Sequence, residues 1–215
     1  MMKDVVVGGK YMSNIITISR EFGSGGRELG KRLAEKLHIA YYDKEIITAI
    51  SERSGLAEEY VNSVMENNIN FYYPITFGRS FSYKSGFENR NKIVVAEQEI
   101  IKELAVKSDC VIVGRCADFI LKEYNPLNIF VHADLESKIK RCRSRVVEND
   151  SVTDKEIIKQ IKKIDKSRAE YNEVFKGKKW GDKENYHICI NTSNLEIKEI
   201  IPALSSFAKA WHKMK

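Results

Sequence analysis

The four cysteines, Cys110, Cys116, Cys142 and Cys189, are scattered along the 215 residues with no C-x-x-C pair, and the four histidines are equally dispersed. Metal sites use closely spaced ligands and disulfide scaffolds use dense cysteine, so both are excluded as organising features and buried free thiols are expected. No apolar run approaches the ~18 residues of a membrane-spanning helix. The three consecutive valines near the start are too few for a signal-peptide core. Repeats and low-complexity segments are missing as well. A cytoplasmic protein with no membrane partner is the default expectation. Met12 stands just ahead of the first strand-like run, so residues 1–13 read as a leader, frayed or produced by a mis-called start, before a single domain over 14–215.

An apolar content of 43% with 31% charged residues is ordinary for a globular chain of this length. The net charge of +6 is uneven: residues 138–183 hold 15 Lys/Arg against 8 Asp/Glu, a surplus of 7, which leaves the rest of the chain at −1. Nucleic-acid binding would favour basic residues interleaved with aromatics, and this segment has few aromatics before Tyr171, so a solvated basic helix surface is the plainer expectation.

Ile15 to Leu37 is the most informative stretch. A short apolar run enters a loop with Gly23, Gly25 and Gly26, then an amphipathic segment with Leu29, Leu33 and Leu37 spaced by four. Strand, glycine loop and helix in this order make a phosphate site, because glycines let backbone N–H groups converge and a helix N-terminus adds about half a positive charge. Laid on G-x-x-x-x-G-K-[ST], Arg20 takes the first glycine, Gly25 the second, Gly26 the lysine and Arg27 the hydroxyl position. Arg27, Arg20 or Lys31 could supply the absent lysine's charge, guanidinium matching phosphate bidentately. A dinucleotide loop competes, with Asp43 where a ribose-binding carboxylate would sit, but its third glycine falls on Glu28.

Strand signals near 15–19, 40–42, 110–113, 128–132 and 186–190 alternate with helical patterns near 25–37, 43–53, 57–67, 90–107, 116–123, 134–148, 154–175 and 195–212, which predicts an α/β domain with a largely parallel sheet. Asp134 and either Thr153 or Asp154 are predicted N-caps. Residues 68–89 break the pattern with seven Phe and Tyr among Gly, Ser and polar residues. An aromatic-rich loop is expected there, with core anchoring or a homodimer contact through 71–87 ranked ahead of base stacking. Gly114 and Arg115 follow a strand directly, at the edge where open α/β sheets bind ligands. Arg141, Arg143 and Arg145 crowd a helix end, and Asp165 and Arg168, three apart, share a helix face.

Taken in order, I-T-I-S-R-E-F-G-S-G-G-R-E, Y-Y-D-K-E-I-I, C-V-I-V-G-R-C-A-D, F-V-H-A-D-L-E, D-K-S-R-A-E-Y and W-G-D-K-E-N-Y-H-I-C-I-N-T-S resemble the cytidylate kinase-like family, a divergent branch of the P-loop nucleoside monophosphate kinases. The resemblance runs from Asn14 to about Ile200. It implies a three-layer α/β P-loop NTPase fold: a five-stranded parallel sheet flanked by helices, a helical acceptor-binding insertion over about 55–100 and a basic lid over 141–183. It also implies nucleotide substrates, with ATP as phosphoryl donor, Mg²⁺ as cofactor and a nucleoside monophosphate such as CMP as acceptor.

On that footing Arg20, Gly23, Ser24, Gly25, Gly26, Arg27 and Glu28 are expected at the donor phosphates, Arg27 standing in for the lysine. Asp43, Arg115, Asp118, Asp165 and Arg168 are expected at the acceptor, and Arg27, Arg141 and Arg145 at the transferring group. Ser24 and Glu28 are the two candidates for a metal contact. The family's G-R-D element reads Gly114, Arg115, Cys116, keeping the phosphate contact and losing the base-reading carboxylate, for which Asp118 could compensate. A further acceptor arginine falls on Ala49. These departures leave a rival, a non-catalytic nucleotide-binding regulatory module with a degenerate P-loop. RNA binding ranks below both.

Overall fold

The computed structural model describes residues 6, 7, 10, 11, 13–61, 83–145 and 152–214. Five strands, β1 (Ile15–Arg20), β2 (Ala40–Tyr42), β3 (Cys110–Val113), β4 (Leu127–His132) and β5 (Ile188–Asn191), form one parallel sheet in the order β2-β3-β1-β4-β5. Ahead of it, Val6–Val7 pairs antiparallel with Lys10–Tyr11. The helices are α1 (Gly26–Leu37), α2 (Glu45–Ser54), α3 (Tyr83–Lys107), α4 (Ala117–Ile120), α5 (Leu135–Arg143), α6 (Asp154–Lys176) and α7 (Ile197–Lys213). Among the described residues none is long and apolar enough to cross a membrane.

The apolar runs of β1, β3 and β4 are explained by burial on both faces. Ile16, Ile18, Val111, Val113, Ile129 and Val131 meet α1 and α7, while Ile15, Cys110 and Ile112 meet α2, α3 and α4. The result is the expected three-layer α/β arrangement. From β1 the chain crosses to β2 on one side, and from β3 it crosses back over β1 to β4 on the other. The two directions part beside the carboxyl end of β1, where open sheets leave a crevice.

The local signals fix the helix ends. Asp134 caps α5 by accepting from the Ser137 N–H at 2.7 Å, and Thr153 and Glu156 form a reciprocal capping box at the start of α6. One expectation needs correction: residues 83–89, read as part of the aromatic loop, already belong to α3. Each residue added to an existing helix gains a hydrogen bond without a new nucleation cost, so the 90–107 segment extends backwards over weaker helix formers. The rest of that loop, 68–82, and most of the 57–67 helix lie outside the described residues. The four cysteines are free thiols, but only Cys110 and Cys116 are buried as expected; Cys142 is half-buried and Cys189 exposed.

Gly30 sits in the middle of α1, where it costs helix stability, because the helix lies almost on the sheet. A Cβ there would stand 2.9 Å from Val113 Cγ2 and 3.0 Å from Ile18 Cδ1. Gly30→Val is expected to lower stability by about 2 kcal/mol in chemical denaturation, the range for overpacked cores.

Candidate active site

At the end of β1 the chain turns through Glu21 to Gly25 into α1. Gly23 (φ +76°) and Gly25 (φ +83°) occupy the left-handed region, and a Cβ on Gly25 would lie 2.7 Å from Ile197 Cδ1 of α7. No side chain caps α1, so the N–H groups of its first turn face outward from an uncapped helix start. The loop is fastened from three sides. The Ser24 hydroxyl donates to the Glu21 carbonyl (2.9 Å) and the fully buried Thr192 hydroxyl donates to the Ser24 carbonyl (2.6 Å). Asp165 of α6 accepts from the Phe22 N–H at 2.6 Å. The Lys138 ammonium bridges Glu21 (2.8 Å) and Asp165 (2.9 Å); burial pulls its pKa down, but these two carboxylates more than offset that and raise it.

Arg20 is the centre of the site. Its side chain lies across the start of α1: a Cβ on Gly26 would stand 2.5 Å from Arg20 Cβ, and one on Gly114 would fall on the guanidinium. Gly26 therefore lacks a side chain because Arg20 occupies that volume. Burial lowers the Arg20 pKa to about 9, and Arg168, Arg115 and Arg27 push the same way while Asp43 opposes them. The group remains a cation at neutral pH, so four guanidinium groups share one small region. Asp43, buried at the β2–α2 junction, offsets part of this charge, with Arg27 Nε at 2.5 Å and Arg20 Nη2 at 3.8 Å. Arg168 donates to the Arg20 carbonyl at 3.0 Å and stands 4.0 Å from Asp165.

Beyond β3, Gly114 (φ +82°), Arg115 (φ +60°) and Cys116 (φ +48°) are all left-handed, a conformation that strains the two non-glycine residues. The turn places Arg115 beside Arg20 and Arg168, and these residues line one cleft with Ser19, Tyr171, Asn172 and Trp180. Beneath it lie further polar groups, of which Asp118 alone was expected from sequence. Asp118 and Lys176 form a buried ion pair at 2.5 Å, their side chains 8% and 6% exposed. Glu97 of α3 is 1% exposed and accepts from the Tyr171 hydroxyl at 2.5 Å, while its Oε1 has no hydrogen-bond partner among the described residues. Burial raises the Glu97 pKa to about 7, with Arg115 and the Tyr171 hydrogen bond opposing. Nothing in the motif spacing marked Glu97, Lys138, Lys176 or Thr192; each becomes visible only when α3, α5, α6 and the loop after β5 are packed together.

Of the residues expected from sequence, Arg20, Gly23, Ser24, Gly25, Gly26, Arg27, Asp43, Arg115, Asp165 and Arg168 are brought to one end of the sheet. The lid arginines are not gathered into one group. Arg141 donates from Nη2 to the Thr192 (2.5 Å) and Leu195 (3.1 Å) carbonyls, Arg143 pairs with Asp154 at 2.6 Å, and Arg145 is exposed beyond the end of α5. Asp118 is taken up by Lys176, and Lys31 is exposed on α1. For Mg²⁺ the two candidates do not fit as they stand: the Ser24 hydroxyl is turned into the loop and the Glu28 carboxylate pairs with Arg32 at 2.8 Å. Among the described residues no group of three His, Cys, Asp or Glu could hold a metal ion.

Residues 15–194 match the model of the cytidylate kinase-like family. A cytidylate kinase of Sulfurisphaera tokodaii is 25% identical over 200 residues, covering 91% of this chain and 97% of the relative. An uncharacterized protein from Eubacterium ventriosum superposes with a TM-score of 0.66 at 28% identity, over 92% of this chain and 99% of that one. Shikimate kinase from Bacteroides thetaiotaomicron gives 0.54 at 14% identity, over 91% and 98%, a likeness of fold alone. The fold is that of the P-loop NTPases.

Two outcomes are expected from this geometry. Gly26→Lys alone should lower stability by about 2 kcal/mol, since its Cβ meets the Arg20 Cβ, whereas the double variant Arg20→Gly/Gly26→Lys should recover most of that loss in a double-mutant cycle. Because the folded-state pKa of Glu97 is raised above its unfolded value, its contribution is fully present below about pH 4.5 and disappears as pH rises through about 7. Glu97→Gln should therefore flatten the fall in stability over that window by about 3 kcal/mol, measured by urea denaturation at a series of pH values.

Proposed function

This chain belongs to the cytidylate kinase-like family, and on that premise we propose that it transfers the γ-phosphoryl group of ATP to a nucleoside monophosphate such as CMP. The observation that carries the proposal is the gathering of Arg20, Arg27, Arg115 and Arg168 beside an uncapped glycine-loop helix, with Asp43 as the carboxylate among them. That much cationic charge in a cleft only partly open to water calls for a polyanion.

Phosphoryl transfer needs little covalent help from the protein. It needs donor and acceptor held in line and the spreading negative charge met by fixed donors. The N–H groups from Ser24 to Arg27 cradle the donor β-phosphate. Arg20, rather than a lysine at position 26, reaches the transferring group, because its side chain fills the volume such a lysine would cross and it lies between the loop and the turn after β3. Arg115 and Arg168 hold the acceptor phosphate. Asp43 orients Arg27 and Arg20. Arg141 holds the loop after β5 against the donor side, and Arg145 is placed to approach from the lid. ATP is the donor that the family implies, and Mg²⁺ its usual companion; no step is assigned to the metal.

The test is ADP production from Mg·ATP across a panel of nucleoside monophosphates. Turnover with one or more acceptors is expected, and Arg115→Ala and Arg168→Ala should each reduce kcat/KM by about 100-fold. Full activity in both variants overturns the acceptor assignments. Stabilisation by ATP without turnover for any acceptor favours the non-catalytic binding module instead.

A further inference from the structure

Arg115 stands on backbone that does not favour it. Gly114, Arg115 and Cys116 are left-handed in succession, and only the first is a glycine. Other residues adopt this region under strain and persist there when their surroundings fix them. Backbone hydrogen bonds hold the ends of the turn: the Gly114 N–H donates to the Ile18 carbonyl (2.9 Å) and the Ala117 N–H to the Gly114 carbonyl (3.1 Å). Its middle is fastened from behind.

Asp118, in the first turn of α4, meets Lys176, the last residue of α6, at 2.5 Å. Both side chains are buried, and the buried Cys116 thiol is close enough to interact with the charges of both, as well as those of Glu97 and Arg115. The pair therefore lies behind the turn that carries Arg115. Arg168 is also on α6, about two turns before Lys176. One helix thus supplies one guanidinium of the cleft and the cation that ties down the backbone bearing another. A buried ion pair is a poor source of stability, because apolar residues of similar size do as well or better; its best-attested use is to fix one arrangement against others. An arrangement is what this turn needs, since the spacing of Arg115 and Arg168 decides whether one phosphate meets both.

We propose that Asp118 and Lys176 are positioning residues for the acceptor site: their pairing holds the left-handed turn so that Arg115 stays beside Arg168 at the spacing a single phosphate requires. The inference rests on the phosphoryl-transfer reading and deepens it. Asp118 acts on the acceptor through Arg115, and its carboxylate is committed to Lys176.

The experiment combines urea denaturation with steady-state kinetics, using Mg·ATP and whichever of CMP, UMP, AMP and GMP is turned over fastest. Lys176→Met leaves a buried carboxylate unpaired and should lower the urea midpoint, whereas Asp118→Asn/Lys176→Met removes both charges and should recover most of the loss. The acceptor kinetics of the double variant should not recover: KM for the monophosphate rises about tenfold while KM for ATP stays within about twofold of the wild type. Asp118→Glu, which keeps both charges but displaces the carboxylate by one methylene, should show the same split and keeps the test decisive if the double variant does not fold. Placed on Arg115→Ala, the double substitution should change kcat/KM for the monophosphate by less than about twofold, because the residue through which the pair acts is gone. A wild-type acceptor KM in the folded double variant, or in Asp118→Glu where that alone folds, overturns the positioning role and leaves phosphoryl transfer standing. So does a loss that multiplies fully onto that of Arg115→Ala. No turnover of any of the four monophosphates by the wild type overturns the underlying reading instead.

Discussion

Crowding of like charge around a buried guanidinium is the constraint on which the site depends. Arg20 is shielded from water and faces Arg27, Arg115 and Arg168, with Asp43 as the opposing charge. Such an arrangement is held together by the fold rather than by its own electrostatics. The polypeptide around it shows the consequences: glycine at 26 and 114 to make room, a carboxylate delivered by the end of β2, and a strained left-handed turn that sets Arg115 at the carboxyl edge of β3. An anion entering this space relieves repulsion as well as making hydrogen bonds, so each phosphate oxygen gains from both effects.

The loop could not hold this charge if it were free to move. Its carbonyls and N–H groups are tied to α6 through Asp165 and Arg168, to the loop after β5 through Thr192, and to α5 through the Lys138 bridge. A buried lysine between two carboxylates is a costly way to gain stability and an effective way to gain position, since removing any member leaves the others unpaired. Asp165 thus has a part in holding the loop. The position of the loop is fixed by this second layer of contacts, supplied by elements distant in sequence.

Much of the architecture was legible in the chain. The runs C-V-I-V and N-I-F-V-H are continuous in apolar character because both faces are covered, and the period-four leucines after the glycine loop locate α1 on the sheet. The glycine loop, Arg115 and Arg168 could be singled out because their chemistry is unusual at a strand end or on a helix face. Which side chain could serve in the absent lysine's place was not legible, because that depends on where the Arg20 and Arg27 side chains run relative to Gly26, a matter of three dimensions. Glu97 left no trace either: a glutamate on an amphipathic helix reads as solvated until α6 covers it. The boundary at residue 83 was missed because serine and glycine signal a loop locally, while helix extension is decided by the segment that follows.

The relation between Arg20 and Gly26 has an evolutionary meaning. In G-x-x-x-x-G-K the small residue comes first and the cation last; here the two have changed places, and the side chain at 20 fills the space beside 26. A lineage passing from one arrangement to the other by single substitutions must go through a chain with both cations in one volume, or one with neither. The first overfills one volume and the second leaves it without a cation, so what either position can hold depends on the other. A lysine at 26 accompanied by a bulky residue at 20 should be as rare among descendants as glycine at both.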